Sequence, residues 1–311
     1  MKKISYFVIA ILLLFTSCEK VLDFNVDELE PLVVVNSLPC TDSQLFVSVT
    51  RSRFFLDNSP FPPAEGVTLE LQVFGGPTLF PTHHDSAYHF FNYIAQPGDS
   101  LTLRVNVPGR DPIVGSTRIV PLPDMQPPSA LIDTLQPIPL GDIAFTLTDP
   151  ADTRNYYYIY VMERDSGSRW NRWEAKWDTI DTVRHAYFNC LNLQVTDPSV
   201  NLSAGMMGYF NELFFSDSLI DGQATDITVS LLMFKDTAEH PLLKEYTLVV
   251  ESLSPDAFRY IKEVKAKQSA TSYFAEPTRA FSNLSSGIGI FASVARRLYP
   301  LTFGYKEPDD E

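Results

Sequence analysis

The 311-residue sequence is short of glycine, of cysteine and of positive charge, and each shortage excludes something. Fourteen glycines are too few for a collagen-like or low-complexity chain, and three cysteines are too few for a disulfide scaffold. Lys and Arg number 24 against 38 Asp and Glu, a net charge of −14. That balance argues against nucleic acid as a partner, because a phosphate-binding surface must be basic. No apolar run reaches the ~18 residues of a spanning helix. Gly-x-Ser-x-Gly, His-Glu-x-x-His and the P-loop are all missing, so the common hydrolase, zinc-peptidase and nucleotide signatures are absent and no cofactor is expected. What the chain has in quantity is 22 Phe, 14 Tyr and 23 Pro, a composition that favours strands joined by stiff turns.

The first residues read as an address. Met1-Lys2-Lys3 precedes an apolar run from Ile4 to Phe15, broken only by Ser5 and Tyr6, and then Thr16-Ser17-Cys18. This run is too short to span a bilayer, which takes about 20 residues. Residues 1–17 fit a signal peptide, and the small residues before Cys18 resemble a lipobox, with Phe15 where Leu is usual. Acylation of Cys18 would anchor the mature chain to a membrane without a spanning helix. An ordinary signal peptide with a chance cysteine, or a short anchor, is the alternative. Export would permit a disulfide between Cys40 and Cys190, the two remaining cysteines; two separate buried thiols fit equally well.

Period-two alternation runs through the first 120 residues. Leu45, Val47 and Val49, then Val67 to Val73, then Leu101 to Val107 place apolar side chains on one face and polar ones on the other. Turn signals separate them at Gly75-Gly76-Pro77, Pro97-Gly98-Asp99 and Pro108-Gly109-Arg110. Four of the eight residues from Pro121 to Pro128 are proline, the composition of a semi-rigid spacer. Beyond it Ile143, Phe145 and Leu147 alternate, Tyr156 to Met162 reads as an aromatic strand, and Ile227, Val229 and Leu231 begin another. The expected fold is mainly β. It comprises two antiparallel sandwiches of immunoglobulin-like or prealbumin-like type, residues 18–120 and 129–311, joined by the linker 121–128. One short helix is expected at about 254–267, capped by Ser254 with Pro255 in its first turn. Its Arg259, Lys262, Lys265 and Lys267 read as a solvated outer face.

Asp149-Pro150 with Asn155-Tyr156-Tyr157, the segment Phe215 to Gly222, the segment Leu253 to Lys262, Phe274-Ala-Glu-Pro277 and Ser282 to Phe291 form an ordered set of motifs. Together with Thr196-Asp-Pro198 and Pro31 to Asn36 they resemble the domain-of-unknown-function family 4249, lipoproteins of Bacteroidetes. The resemblance covers nearly the whole chain after Cys18, with departures at Phe291-Ala292-Ser293 and Ser285-Ser286. It implies a β-rich outer-membrane or periplasmic lipoprotein, often encoded near TonB-dependent receptors. It brings no catalytic residues. Glu19 to Asp23 matches acidic surface-export signals poorly and leaves both faces of that membrane open.

Four features could carry chemistry. His83, His84, Asp85 and His89 offer imidazole and carboxylate donors of the kind zinc or copper takes; on a single strand His83, Asp85 and His89 would share a face. The alternative is a polar hairpin facing water, since on a straight strand His83 and His89 lie about 20 Å apart. Trp170, Arg172, Trp173 and Trp177 fall in one segment after an Asp-Ser-Gly-Ser turn. These rings either anchor a partner or pack on the sandwich. Gly287-Ile-Gly289-Ile-Phe-Ala292 matches a relaxed dinucleotide fingerprint, but the chain ends too soon for it, so the glycines more plausibly allow close approach in a final strand. Asp-(Ser/Thr)-apolar triplets starting at Asp85, Asp99, Asp133, Asp178, Asp181, Asp217 and Asp236 resemble an O-glycosylation signal and equally fit turn chemistry. Two functions therefore compete: a binding accessory to a TonB-dependent receptor, and an exported metal-dependent hydrolase or metal-binding protein using His83, His84 and Asp85.

Overall fold

The computed structural model describes residues 30–53, 57, 59–133, 139–171, 174, 176–190, 211–233, 243–269 and 280–305. The leader, Cys18, Arg172 and Trp173 lie outside these residues.

The alternating segments form strands with the expected faces. The first eight are β1 (Val33–Ser37), β2 (Gln44–Arg51), β3 (Thr68–Val73), β4 (Thr78–Leu79), β5 (His83–Asp85), β6 (Tyr88–Ile94), β7 (Ser100–Asn106) and β8 (Ile113–Arg118). Leu45, Val47 and Val49 of β2 meet Leu69 and Leu71 of β3 and Leu101, Leu103 and Val105 of β7 in one core. Burying a branched side chain of this size gains roughly 1.5–3 kcal/mol, which fixes the register because a one-residue slip would turn each strand's apolar set outward.

A second sandwich follows: β9 (Asp124–Met125), β10 (Ser129–Asp133), β11 (Leu140–Thr148), β12 (Tyr156–Asn171), β13 (Lys176–His185), β14 (Phe188–Cys190), β15 (Leu213–Ser216), β16 (Ala224–Leu232) and β17 (Leu243–Leu253). Ile143, Phe145 and Leu147 of β11 and Ile227, Val229 and Leu231 of β16 face Tyr157, Ile159 and Val161 of β12 and Leu248 and Val250 of β17. The helix α1 (Pro255–Ser269) lies over the other face of β12, where Phe258 stacks on Tyr156 and on Phe214, with centroids 4.4 and 4.5 Å apart. Ser254 caps it, accepting the Ala257 N–H at 3.3 Å.

The chain closes with β18 (Ile288–Phe291), β19 (Val294–Leu301) and β20 (Gly304–Tyr305), and here the architecture departs from two self-contained units. The first sandwich packs a sheet of order β18-β1-β2-β6-β5 on one of order β4-β3-β7-β8. Its edge strand β18 thus comes from the far end of the sequence and runs parallel to β1. β19 continues directly into the second sandwich as the edge of the sheet β13-β12-β17-β19, which faces β14-β16-β11-β10-β20. Two pairings, β1 with β18 and β10 with β20, are parallel in otherwise antiparallel sheets. The proline-rich linker is also shorter than expected: Asp124 and Met125 pair with Thr148 and Leu147, and Met125 is buried in the second core. Alternation continues across the prolines, with Pro123 and Met125 both buried, and binds the segment to β11.

Gly289 is what lets β18 approach. It sits at φ 121°, and a Cβ there would lie 2.0 Å from the Val35 carbonyl oxygen of its partner strand. Gly289→Ala should cost about 3 kcal/mol or more, read as a lowered urea midpoint, because the backbone conformation and the contact both exclude a side chain. An alanine variant as stable as wild type would mean that β18 does not pair as described.

Candidate functional site

The Trp segment forms the end of a hairpin made by β12 and β13. Among the described residues β12 pairs with β17 from Tyr157–Ser252 to Ser166–Leu243, and its pairing with β13 continues through Gly167–Ile180, Arg169–Asp178 and Trp170–Trp177 to Asn171–Lys176. At about 3.3 Å per residue the hairpin runs some 17 Å beyond the last described β17 pair. Trp177 is 53% exposed near its tip. The structure therefore places Trp170 and Trp177 opposite one another on strands.

Two strands gain stability from the sheet they join, so the base of the hairpin matters. Glu163 and Asp165 of β12 are buried there between Arg184 of β13 and Lys244 of β17. Arg184 Nη2 lies 3.2 Å from Glu163 Oε1 and 3.1 Å from Asp165 Oδ2, and Lys244 bridges the same two carboxylates. Burial opposes ionisation of Glu163, but the bonds from Lys244 and Arg184 outweigh it and hold its carboxyl below the usual range. Next along the ribbon Arg164 grips Asp181 with two parallel bonds of 2.8 and 3.0 Å.

The histidines form a second hairpin, and its geometry corrects the expectation that His83, Asp85 and His89 share a face. A two-residue turn at Ser86-Ala87 folds β5 onto β6, so that His84 faces His89 and Asp85 faces Tyr88. Directly opposed residues lie on one face, which puts His84 and His89 together and sends His83 and Asp85 to the other side. His83 stacks on Phe90 at 4.6 Å, in a row with Phe46. The His84 and His89 rings are 5.9 Å apart. Partial burial, and then the neighbouring His84, pull the His89 ring below the ordinary imidazole range. Two imidazoles meet here, and the four donors do not converge.

Cys40 and Cys190 are not bonded to one another. Cys40 is buried between the sandwiches, its thiol donating to Asp42 Oδ1 at 3.0 Å, whereas Cys190 packs on the second core. Burial and the bond to Asp42 push the Cys40 thiol up to about 11, which leaves it unreactive at neutral pH.

Among the described residues three carboxylates do converge: oxygens of Asp149, Asp217 and Asp221 lie within 4.8 Å of one another. Protein donors already occupy them. Tyr157 Oη and the Gly222 N–H donate to Asp149, the Asn155 N–H donates to Asp217 at 2.5 Å, Arg154 Nε lies 3.4 Å from Asp217, and the Asp152 N–H donates to Asp221 at 3.2 Å. The arrangement is a clasp that holds the loop after β11 to the turn after β15, and no local pattern of residues marks it because its halves lie some 60–70 residues apart.

These clasp residues, the Ser254 cap and the Ser282 to Phe291 segment are the same motifs that carry the family resemblance. A family model described as "Domain of unknown function (DUF4249)" matches residues 19–297. The chain belongs to the DUF4249 family. No curated protein matches this DUF4249 chain. A solved structure titled as manganese lipoxygenase of Gaeumannomyces graminis and partial zonadhesin of Komagataella pastoris is 12% identical over 74% of this chain and 91% of that one, with a TM-score of 0.18. A likeness that low carries no argument about fold or role.

Contrary to the expected solvated outer face, the basic side of α1 is not uniformly solvated, since Lys265 pairs with the buried Glu212 and stands 5.1 Å over the Tyr158 ring. Arg259 bonds Glu263 and lies 4.1 Å over Phe281. Aromatic residues brought beside the helix by β12 and β15 make that face a packing surface.

Burial, assisted by Asp149 and Asp221, pushes the Asp217 carboxyl above the usual carboxylate range despite the Asn155 and Arg154 contacts. The folded state thus holds this proton more tightly than the unfolded chain. Its contribution to stability is full below the unfolded value and is lost as pH rises through the higher folded one. Asp217→Asn, which keeps an acceptor without a charge to bury, should gain on wild type in urea midpoint between about pH 3.5 and pH 7. A difference that stays constant over that range contradicts the assignment.

Proposed function

We propose that this DUF4249 chain is a non-catalytic binding accessory. It is exported, anchored at the outer membrane through lipid on Cys18, and engages a TonB-dependent receptor in nutrient capture. The observation that supports this reading best is the long β12–β13 hairpin with Trp177 exposed near its end. A large amphipathic ring held on a charge-stapled ribbon is an anchor whose ordering cost has been met before binding, and such rings dominate interface energetics. The lipid anchor would hold this arm within reach of a membrane-embedded partner.

Purification of the native lipoprotein from outer membranes tests it. A TonB-dependent receptor should co-purify, and Trp177→Ala should reduce its recovery about tenfold while shifting the thermal midpoint by no more than about 2 °C. Undiminished capture by the alanine variant contradicts a role for the hairpin. Cys18→Ala should accumulate as unprocessed precursor, and a mature N-terminus without acyl chains contradicts the anchor.

The competing reading, a metal-dependent hydrolase or metal-binding protein, has one specific feature behind it, the His84–His89 pair. Stoichiometric zinc or copper in the purified chain, lost in His84→Ala, would favour it over the accessory role.

A further inference from the structure

Where the chain crosses from the first sandwich to the second, the two enclose a cleft of about 700 Å³. The end of β8, the crossing at Val120 and Pro121, the loop Thr153–Asn155 and the first turn of α1 line it. Its size falls in the range of small-molecule pockets, and the junction of two domains is a common place for one.

The walls are chemically uneven. Ile119, Pro121 and Pro255 are apolar; Arg118 enters from the first sandwich, Arg154 from the second, and Asp256 is the one carboxylate. Asp256 is engaged, its Oδ2 accepting from Asn283 Nδ2 at 2.9 Å. Arg154 is partly engaged: Nη2 donates to Ser216 Oγ at 3.2 Å and Nε lies 3.4 Å from Asp217, yet its side chain stays 57% exposed. Arg118 uses its carbonyl to accept from Ser293 Oγ at 2.6 Å, while its exposed guanidinium bonds none of the described residues. A chain of net charge −14 thus brings two arginines, one of them paired with Asp217, and one hydrogen-bonded carboxylate to a single, largely apolar cleft. The first turn of α1 forms part of the wall, where Asp256 meets the positive end of the helix dipole and leaves Arg118 to supply the exposed positive charge.

We infer that this cleft binds a short apolar peptide by its free C-terminal carboxylate, with Arg118 as the carboxylate partner. The planar guanidinium fork matches a carboxylate in two parallel bonds. One uncommitted fork beside Asp256 suits a single negative charge and not a phosphate dianion, and the proline and isoleucine walls suit apolar side chains. The inference rests on the binding reading for its physiological setting, but it depends on a different part of the molecule from the hairpin.

Calorimetric titration of the purified full chain with N-acetyl-Leu-Ala-Phe, and with the same peptide amidated at its C-terminus, tests it. The free acid should bind saturably at one site, and the amide at least about tenfold more weakly. Arg118→Gln should show the same loss for the acid with an unchanged thermal midpoint, and Arg118→Lys, which keeps the charge without the fork, should recover part of it. Trp177→Ala should bind the peptide as wild type does, so failure of the hairpin reading and failure of the cleft reading are separable. Equal affinity for acid and amide, full affinity in Arg118→Gln, displacement of the peptide by inorganic phosphate at lower concentration, or no saturable binding up to about 10 mM would each overturn the assignment.

Discussion

The fold depends on one stretch of chain, Ile288 to Leu301, that serves as an edge strand in both sandwiches. Its first half lies against β1, and its second half against β17. Between them the backbone is pinned from both sides: Ala292 N donates to the Ser37 carbonyl at 3.2 Å, Val294 N to Pro39 at 3.0 Å, and Ser293 N to Ser254 Oγ at 3.1 Å. Arg296 completes the joint. Its N–H donates to Thr41 Oγ1 at 3.0 Å, and its guanidinium lies 2.7 Å from the buried Glu251 and 3.6 Å from Asp42. A buried ion pair of this kind adds little net stability, but losing one partner strands the other charge, so it makes the joint specific.

The cleft follows from that joint. Because the sandwiches meet at a strand common to both, the cleft between them has walls of fixed separation, with Arg118 and Arg154 arriving from opposite sides. Ser254 shows how closely fold and cleft are linked: its hydroxyl accepts from Ala257 and from Ser293, so one residue starts the helix that lines the cleft and ties that helix to the shared strand. The hairpin is independent of this joint, held instead by the four charged residues at its base.

What could be read from the sequence was what short-range periodicity encodes. The alternation of β2, β3, β7, β11 and β16 and the Ser254 cap were legible because each signal spans a few residues, whereas the turn expected at Asp165 to Ser168 lies inside β12, which pairs with β13 through those residues. The Gly287-Ile-Gly289 pattern was legible as close approach in a strand, though not which strand it approaches, since a parallel pairing with β1 across some 250 residues leaves no local mark. The same limit hid the Asp149–Asp217–Asp221 clasp and the Lys265–Glu212 pair. His89 changed faces for a different reason: a two-residue turn reverses the chain, and parity counted along one strand does not survive it. Motifs that identify the DUF4249 family proved to be mainly those that hold loops and the shared strand in place, so recognising the family spoke to architecture and left the sites to geometry.

Native-state hydrogen exchange tests the shared strand most directly. If Ile288 to Leu301 couples the sandwiches, the slowest amides of Val47 and Val49 in the first core and of Ile159 and Val250 in the second will open with the same free energy and the same urea dependence, as parts of one cooperative unit. Opening of the first set at lower free energy while the second stays protected would contradict the coupling, and would show two sandwiches that merely touch.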